Sequence, residues 1–377
     1  MSQTQYHYQW RDRIEVQRFR TAVSLHSHTL HSHESLGFIP RFAQAMPLVR
    51  EAVHAQERRY ERKNGRTLNY DSAYWTPPLS EREAVHLERS QIHNSLDMGA
   101  IVSLTDHDNI DAASHLHMFE EHRNAPISVE WTVPYGPTFF HLGIHNLPTG
   151  NSRAWMERFA AFTAAPQPNE LRSILAELSA IRDVLIVFNH PLWDEKAIGA
   201  QLHRDLATKF LNNYGPWLHA LELNGMRPWS ENQAAATVAH SFGLPFISGG
   251  DRHGAEPNAV LNLTNCGSFP EFIDEIRRVR RSDILLLSQY REPHRLRYFE
   301  TIWDVMRDYP ENPGRVRWTD RFYFRTAAGT DAKLSSVWKG DGPGICSAFL
   351  SLVRLMRSPQ MKSTMRYAMR DKSEVLP

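Results

Sequence analysis

Seven short apolar runs recur along the chain, and they constrain the fold more than any other feature of the sequence. Each run is nearly continuous in apolar character and rich in β-branched residues, which is typical of strands buried on both faces of a parallel sheet. The runs lie at 21–25, 100–104, 126–129, 138–142, 184–188, 218–223 and 244–248. Amphipathic stretches separate several of them, as at 79–96, 168–183 and 231–243. This alternation of strand and helix predicts βα units and an α/β fold.

Residues able to bind a metal ion follow or end each of these runs. In chain order they are His26 with His28, Asp106 with His107, Glu130, His141, His190, Glu222 with Asn224, and Asp251 with His253. The carboxyl ends of barrel strands meet around one centre, so the ordered series predicts one shared site. A single buried histidine is more often a hydrogen-bonded core residue than a metal ligand. Most of the histidines outside this series, His115 among them, are therefore expected to be structural or to lie on the surface.

Several imidazoles with a few carboxylates suit Zn, Mn or Fe better than Ca or Mg, which prefer oxygen ligands alone. The set is larger than one ion needs. We therefore expect two or three divalent ions, with Glu130 as the bridging carboxylate.

The segments LHSHT, LTDHDN, VE, FHLGI, FNHP and GGDRH resemble the successive motifs of the PHP (polymerase and histidinol phosphatase) family. The resemblance covers roughly residues 20–290. It implies a distorted seven-stranded (β/α)7 TIM-like barrel, a di- or trinuclear metal centre, and hydrolysis of phosphoesters by metal-activated water.

The resemblance also implies individual roles. Carried over by position, the metal ligands are His26, His28, His107, Glu130, His141, His190, Asp251 and His253. His33 stands where the family usually has Asp and is predicted to be a substituted ligand, whereas His31 has no counterpart and is interpreted as a loop residue. Asp106 is expected to orient a ligand or a water. Arg252 either holds a phosphate or points outward into a salt bridge.

The domain organisation predicted from the sequence is a metal-hydrolase barrel over 20–290 with a long insertion at 39–79 after the first strand. A mixed C-terminal extension, 291–377, is expected to pack on the barrel. A loop leaving the end of the first strand starts beside the predicted metals, so the insertion is expected to be a lid, a specificity element or a packing element.

The function predicted is that of a metal-dependent phosphoric ester hydrolase acting on a small phosphomonoester or a nucleotide phosphate. His107, His253 or Asp106 would protonate the leaving oxygen, and Arg252 would offset developing charge. Two alternatives stay open: hydrolysis of a non-phosphate ester or amide, and a non-catalytic metal-binding domain.

Composition limits the setting and the partners. The net charge of +1 gives no reason to expect a nucleic-acid partner. Two cysteines, Cys266 and Cys346, cannot form a disulfide framework, so we expect a reducing, cytoplasmic location. No apolar run reaches the roughly 18 residues of a membrane span, so no membrane association is expected. The oligomeric state is left open.

Overall fold

The computed structural model describes residues 3–37, 47–65, 67, 69–326, 328–338, 340, 342 and 344–369. Its strands are β1 Gln3–Tyr8, β2 Thr21–Leu25, β3 Glu34–Ser35, β4 Ala73–Trp75, β5 Gly99–Ser103, β6 Val129–Tyr135, β7 Thr138–His145, β8 Leu185–Asn189, β9 Ala220–Asn224, β10 Phe246–Gly249, β11 Val260–Thr264, β12 Arg281–Leu286, β13 Phe322–Arg325 and β14 Asp331–Lys333. Its α-helices are α1 Arg13–Val16, α2 Pro47–Asn64, α3 Glu81–Leu96, α4 Asp111–Leu116, α5 Ser152–Ala164, α6 Pro168–Ala180, α7 Ala200–Tyr214, α8 Trp229–Ser241, α9 Phe269–Asp274, α10 His294–Met306, α11 Gly344–Arg357 and α12 Pro359–Ala368.

The chain divides into two units, each built from separated segments. The first consists of residues 1–32, 79–301 and 364–377, and the second of 33–78 and 302–363. Part of the predicted insertion, at 38–46, 66 and 68, lies outside the described residues, as do 327, 339, 341, 343 and 370–377 in the predicted extension. The boundaries 20–290 and 291–377 stay a prediction.

The first unit contains two mixed five-stranded sheets. One has the order β1-β12-β11-β2-β5 and the other β10-β9-β8-β7-β6. All seven runs predicted from the sequence overlap strands of these sheets, namely β2 and β5 to β10. The sequence reading missed β1, β11 and β12, which complete the first sheet.

The predicted closed seven-stranded barrel is wrong, because the seven strands are divided between two sheets. The edge of β2 opposite β5 carries the antiparallel strand β11, in the place where a continuous ring would need β10. In addition, β6 and β7 form an antiparallel hairpin with the turn Gly136-Pro137, and β8 is antiparallel to β7. A turn of this length leaves no room for the crossover helix of a βα unit.

Two isolated parallel bridges nevertheless join residues that follow β2, β5 and β10 with one another or with the start of β6. One pairs Ser27 with Arg252, and the other pairs His107 with Glu130. Both bridges involve residues of the predicted site, so the strand ends that carry the site lie close together even though the sheets do not form a ring.

Helix α3 begins where the sequence places a cap. Ser80 precedes α3, its hydroxyl accepts from the Glu83 amide at 3.4 Å, and its own amide donates to the Glu83 carboxylate at 2.7 Å. This reciprocal capping box fixes the start of α3. The helix then buries Val85, Glu88 and Ile92.

The second unit contains an antiparallel four-stranded sheet of order β14-β13-β4-β3. A small apolar core of Leu36, Trp75 and Val305 packs in this unit. Among the described residues, no helix is both long enough and apolar enough to cross a membrane.

Candidate metal centre

Glu130 is a fully buried carboxylate at the start of β6, and ring nitrogens of five histidines approach its two oxygens. Oε2 lies 2.9 Å from Nε2 of His26, 3.3 Å from Nε2 of His28 and 3.5 Å from Nδ1 of His107. Oε1 lies 3.0 Å from Nε2 of His190 and 3.5 Å from Nδ1 of His141. Histidines carried by four strands of the two sheets, β2, β5, β7 and β8, thus converge on this carboxylate.

Asp251 supplies a second buried carboxylate beside the first. Its Oδ1 lies 3.3 Å from Nε2 of His28, 3.5 Å from Nε2 of His26 and 3.8 Å from Nδ1 of His253. Its Oδ2 accepts a hydrogen bond from the Asn224 amide at 3.0 Å. His26 and His28 therefore lie between Glu130 and Asp251, and the Nε2 atom of each ring is within 3.5 Å of both carboxylates.

Glu222 is a third buried carboxylate, which the sequence placed at a strand end without giving it a role. Its Oε1 lies 2.6 Å from Nδ1 of His26. Its Oε2 accepts from the His190 amide at 2.9 Å and from the Asn224 side chain at 3.0 Å. Glu222 thus fixes the ring of His26 from the side opposite Glu130, as carboxylates behind metal-binding histidines do. Its place at the end of β9 was the signal for this role.

The close approach of Glu222 requires a glycine on the neighbouring strand. A Cβ atom at Gly249 would lie 1.7 Å from Oε1 of Glu222 and 3.0 Å from Cβ of His26. No side chain fits in this space without moving one of these residues. The first glycine of the GGDRH segment is therefore explained by packing against the site.

Three of the predicted ligands have left-handed backbone conformations. The φ angles are +64° at His26, +25° at His190 and +54° at Asp251. Residues other than glycine adopt positive φ at a cost in free energy, and such residues cluster at functional sites. Each chain segment turns sharply as it leaves its strand, which directs these side chains toward the shared centre.

Asp106 holds the loop that follows β2. Its two carboxylate oxygens accept from the Thr29 amide at 2.5 Å and from the Thr29 hydroxyl at 2.7 Å. The neighbouring Ser32 hydroxyl accepts from the His107 amide at 3.1 Å and lies 3.3 Å from Nδ1 of His28. The expectation that Asp106 has an orienting role fits these contacts, and the buried carboxylate is poorly placed to meet a leaving group.

Arg252 points away from the carboxylates of the centre. Its guanidinium forms a buried salt bridge with Glu88 of α3 at 2.7 Å. The same Glu88 carboxylate accepts from the hydroxyls of Ser24 and Ser27 at 2.9 and 2.8 Å. Arg252 thus forms a salt bridge, but with a side chain that is only 4% exposed and does not point outward as predicted; its role in holding a phosphate stays a prediction.

His33 belongs to the second unit, where its ring stacks on Tyr74 with the ring centroids 4.2 Å apart. Its predicted role as a substituted ligand stays a prediction. Tyr74 stacks in turn on Tyr323, at 4.9 Å.

The side chains of the centre form three groups whose ligand atoms lie within 4.8 Å of one another. The groups are His26, His28 and Glu130; His26, His190 and Asp251; and His107, Glu130 and His141. Two ligands of a tetrahedral zinc ion are about 3.3 Å apart, given metal–ligand distances near 2.0–2.1 Å. The observed donor set and its separations fit divalent ions such as Zn, Mn or Fe. The number and identity of the ions stay predictions.

Glu130, Asp251 and the buried imidazoles strongly shift one another's pKa values. Burial alone would lower the pKa of His26, but Glu130, Glu222 and Asp251 raise it well above its usual range. Burial alone would raise the pKa of Glu130 and of Asp251, but the adjacent histidines hold both pKa values well below their usual range. Burial lowers the pKa of His141 well below its usual value. Both carboxylates therefore stay ionised at neutral pH, the form that binds cations.

Comparisons with known proteins bring no family assignment. No protein-family model matches the chain, and no curated protein matches it. Among solved structures, PsfC from Pseudomonas syringae PB-5123 is similar with a TM-score of 0.40 and 16% identity, over 59% of this chain and 88% of that one.

Two further solved structures are similar at lower TM-scores. An amidohydrolase from Chromobacterium violaceum, with bound sulfate and no metal, has a TM-score of 0.32 and 16% identity, over 48% of this chain and 84% of that one. A protein from Bifidobacterium adolescentis assigned as a metal-dependent phosphoesterase has a TM-score of 0.32 and 14% identity, over 52% of this chain and 91% of that one. At these values the likenesses carry no argument about activity, and the PHP resemblance stays a prediction from the motifs.

Proposed function

We propose that this chain is a metal-dependent hydrolase that cleaves a small phosphomonoester or a nucleotide phosphate. The proposal is supported above all by Glu130, a buried carboxylate whose two oxygens face different sets of imidazole nitrogens. A carboxylate shared in this way is the usual bridge of a centre that binds both the attacking and the leaving oxygen of a phosphoryl group.

The burial and the contacts of each residue indicate its role in the proposed reaction. When bound, divalent ions supply Lewis acidity and lower the pKa of coordinated water toward neutrality. His26, His28, His190 and Asp251 would hold the ions, and Glu222 keeps His26 in place through Nδ1.

His107 and His253 are more exposed than the other histidines around Glu130 and Asp251, at 18% and 16% of their side chains. We therefore assign substrate contact and proton transfer to these two rings. Nδ1 of His253 lies 3.0 Å from the Asp251 carbonyl oxygen, so a transferable proton belongs on Nε2. Protonation of the leaving oxygen by a positioned imidazole contributes about 10²–10⁴-fold to such reactions.

The test is an activity screen of the full chain loaded with Mn²⁺ or Zn²⁺, against phosphomonoesters and nucleotides. Glu130→Gln keeps the shape of the side chain and removes its charge, so it should abolish turnover and lower metal content. The exposed His240→Ala is the matched control and should behave like the wild type. If the wild-type protein binds metal and hydrolyses none of these substrates, the phosphoesterase proposal fails.

A second candidate function is hydrolysis of a non-phosphate ester or amide, and the state of the arginines favours it. Arg252 is paired with Glu88, and Arg227 beyond β9 is paired with Glu231 through bonds of 2.8 and 2.9 Å. Neither guanidinium is thus free to bind the three oxygens of a phosphate without breaking an ion pair. Parallel assays with carboxylic esters and N-acyl substrates distinguish the two candidates.

A further inference from the structure

Three side chains of the first unit form a separate group of potential ligands, which we call the peripheral cluster: His31, Glu81 and His115. The Glu81 Oε2 atom lies 3.1 Å from Nε2 of His31, and Oε1 lies 3.9 Å from Nδ1 of His115. The three ligand atoms lie within 4.8 Å of one another. None of the three residues belongs to the metal centre around Glu130.

Each member of the peripheral cluster comes from a different element. His31 lies in the loop after β2, and its amide donates to the Thr29 hydroxyl at 3.3 Å. Glu81 is the first residue of α3, directly after the Ser80 cap. His115 lies in the last turn of α4. The cluster therefore lies where a loop and two helices meet, and the capping box keeps the backbone of Glu81 in place.

The geometry is better explained by a shared cation than by hydrogen bonds alone. The contact of 3.1 Å is within hydrogen-bonding range, but the 3.9 Å separation of Glu81 and His115 is too long for a hydrogen bond. Both values lie near the roughly 3.3 Å that separates two ligands of a tetrahedral zinc ion. The two imidazole rings meet edge to face, with centroids 4.8 Å apart, so that both face one carboxylate.

The exposure of the three side chains indicates whether an ion bound there could also bind water. The side chains of His31 and Glu81 are 14% and 13% exposed, whereas that of His115 is 46% exposed. Two imidazoles and one carboxylate supply three of the four ligands that zinc requires, and the open side leaves the fourth place to water. The cluster can therefore exchange an ion with solvent more readily than the buried centre.

We propose that His31, Glu81 and His115 bind a divalent transition-metal ion of the Zn²⁺ class. The ion ties the loop after β2 to α3 and α4. This loop also carries Thr29, which bonds Asp106, and Ser32, which contacts His28 and the His107 amide. Binding at the peripheral cluster thus stabilises the loop on which two ligands of the main centre depend, and does so whatever bond the main centre cleaves.

The test measures metal content and does not depend on activity. Full-length wild type, His115→Ala and the matched control His93→Ala, an exposed histidine on α3, are dialysed against Zn²⁺ and analysed for bound zinc. The wild type and His93→Ala should each hold one zinc per chain more than His115→Ala. Equal zinc content in all three proteins would overturn the proposal and leave the cluster as a hydrogen-bonded surface group.

A second variant guards against a folding artefact. Glu81→Gln retains a hydrogen-bonding side chain and removes the charge. Changes to residues that support metal ligands lower metal affinity by about 10–100-fold. Loss of a ligand itself should therefore lower the affinity of the peripheral cluster for zinc by about 100-fold or more. In addition, Zn²⁺ should raise the thermal unfolding midpoint more for the wild type than for either variant. Identical zinc-dependent shifts in the wild type and in both variants would contradict the proposal.

Discussion

Replacement of Gly249 by Ala tests whether the tight contact behind His26 organises the metal centre. The new Cβ would lie 1.7 Å from Oε1 of Glu222 and 2.6 Å from its Cδ. Because the backbone of β10 is paired with β9 on this side, the carboxylate must move rather than the strand. The clash falls on Oε1, so the 2.6 Å contact of this atom with Nδ1 of His26 is then lost.

The size of the effect follows from two contributions. Loss of one hydrogen bond to a charged group costs about 1.5–3 kcal/mol. Insertion of a methyl group into a packed interior costs about 1–3 kcal/mol. Gly249→Ala should therefore lower the free energy of unfolding by about 2.5–6 kcal/mol in the metal-free protein. Because Glu222 orients His26, metal affinity should also fall by about 10–100-fold.

Denaturant unfolding gives the first quantity, and competition with a chromophoric chelator gives the second. Gly150→Ala is the matched control, since a Cβ there has no atom within 4 Å. Glu222→Asp withdraws the carboxylate by one methylene, so the double variant should lose less stability than the sum of the two single variants. The reasoning is refuted if Gly249→Ala unfolds within about 0.5 kcal/mol of the wild type and binds metal equally well.

Three further outcomes are expected. Arg252→Leu leaves Glu88 as an unpaired buried charge, so denaturant unfolding should show a loss of about 3–5 kcal/mol; a normally stable variant that binds phosphate more weakly would instead indicate direct phosphate contact. Burial lowers the pKa of His145 to about 3. The unfolded chain therefore takes up a proton below about pH 6.5 that the folded protein does not, and stability falls as the pH falls through this range. Between about pH 7.5 and pH 5, His145→Gln should lose about 2 kcal/mol less stability than the wild type in urea titrations of metal-free protein, and an equal loss would count against this account. Metal removal by a chelator should lower the unfolding midpoint of the wild type but hardly change that of Glu130→Gln, as calorimetry can check.

The strands and much of the candidate centre could be predicted from the sequence because both leave a local signal. A continuous apolar run identifies a buried strand, and the polar residue that follows identifies its functional end. Since the order of these residues along the chain is visible, the convergence on Glu130 could be expected before any coordinates. The capping box at Ser80 and Glu83 is a local signal of the same kind.

Closure of the sheet could not be predicted, because it depends on which strands become neighbours. The segments 260–264 and 281–286 each contain three apolar residues, the same number as the chosen runs at 21–25 and 138–142. Nothing local shows that β11 takes the free edge of β2. The antiparallel direction of β7 likewise follows from the short turn at Gly136-Pro137 that joins it to β6, and not from the residues of the strand itself.

The contact partners of individual side chains could not be predicted from the sequence either. Arg252 stands beside two predicted ligands in the sequence, yet its guanidinium pairs with Glu88, a helix residue from a distant part of the chain. Glu222 was visible as a strand-end residue, but its role behind His26 depends on the glycine of the next strand. Contacts of this kind are decided by packing between elements and not by spacing along one of them.

The division of the chain into two units has a consequence for engineering. Residues 33–78 leave and re-enter the first unit at points that are close together, since the Leu30 amide donates to the Leu79 carbonyl at 2.8 Å. A short linker can therefore replace this excursion. However, β4 within it pairs with β13 from the later segment, so removal of either segment alone leaves an unpaired strand edge, which invites aggregation. A minimal version of the protein should lack both segments, because the second unit consists of two segments that interrupt the chain of the first unit at two places.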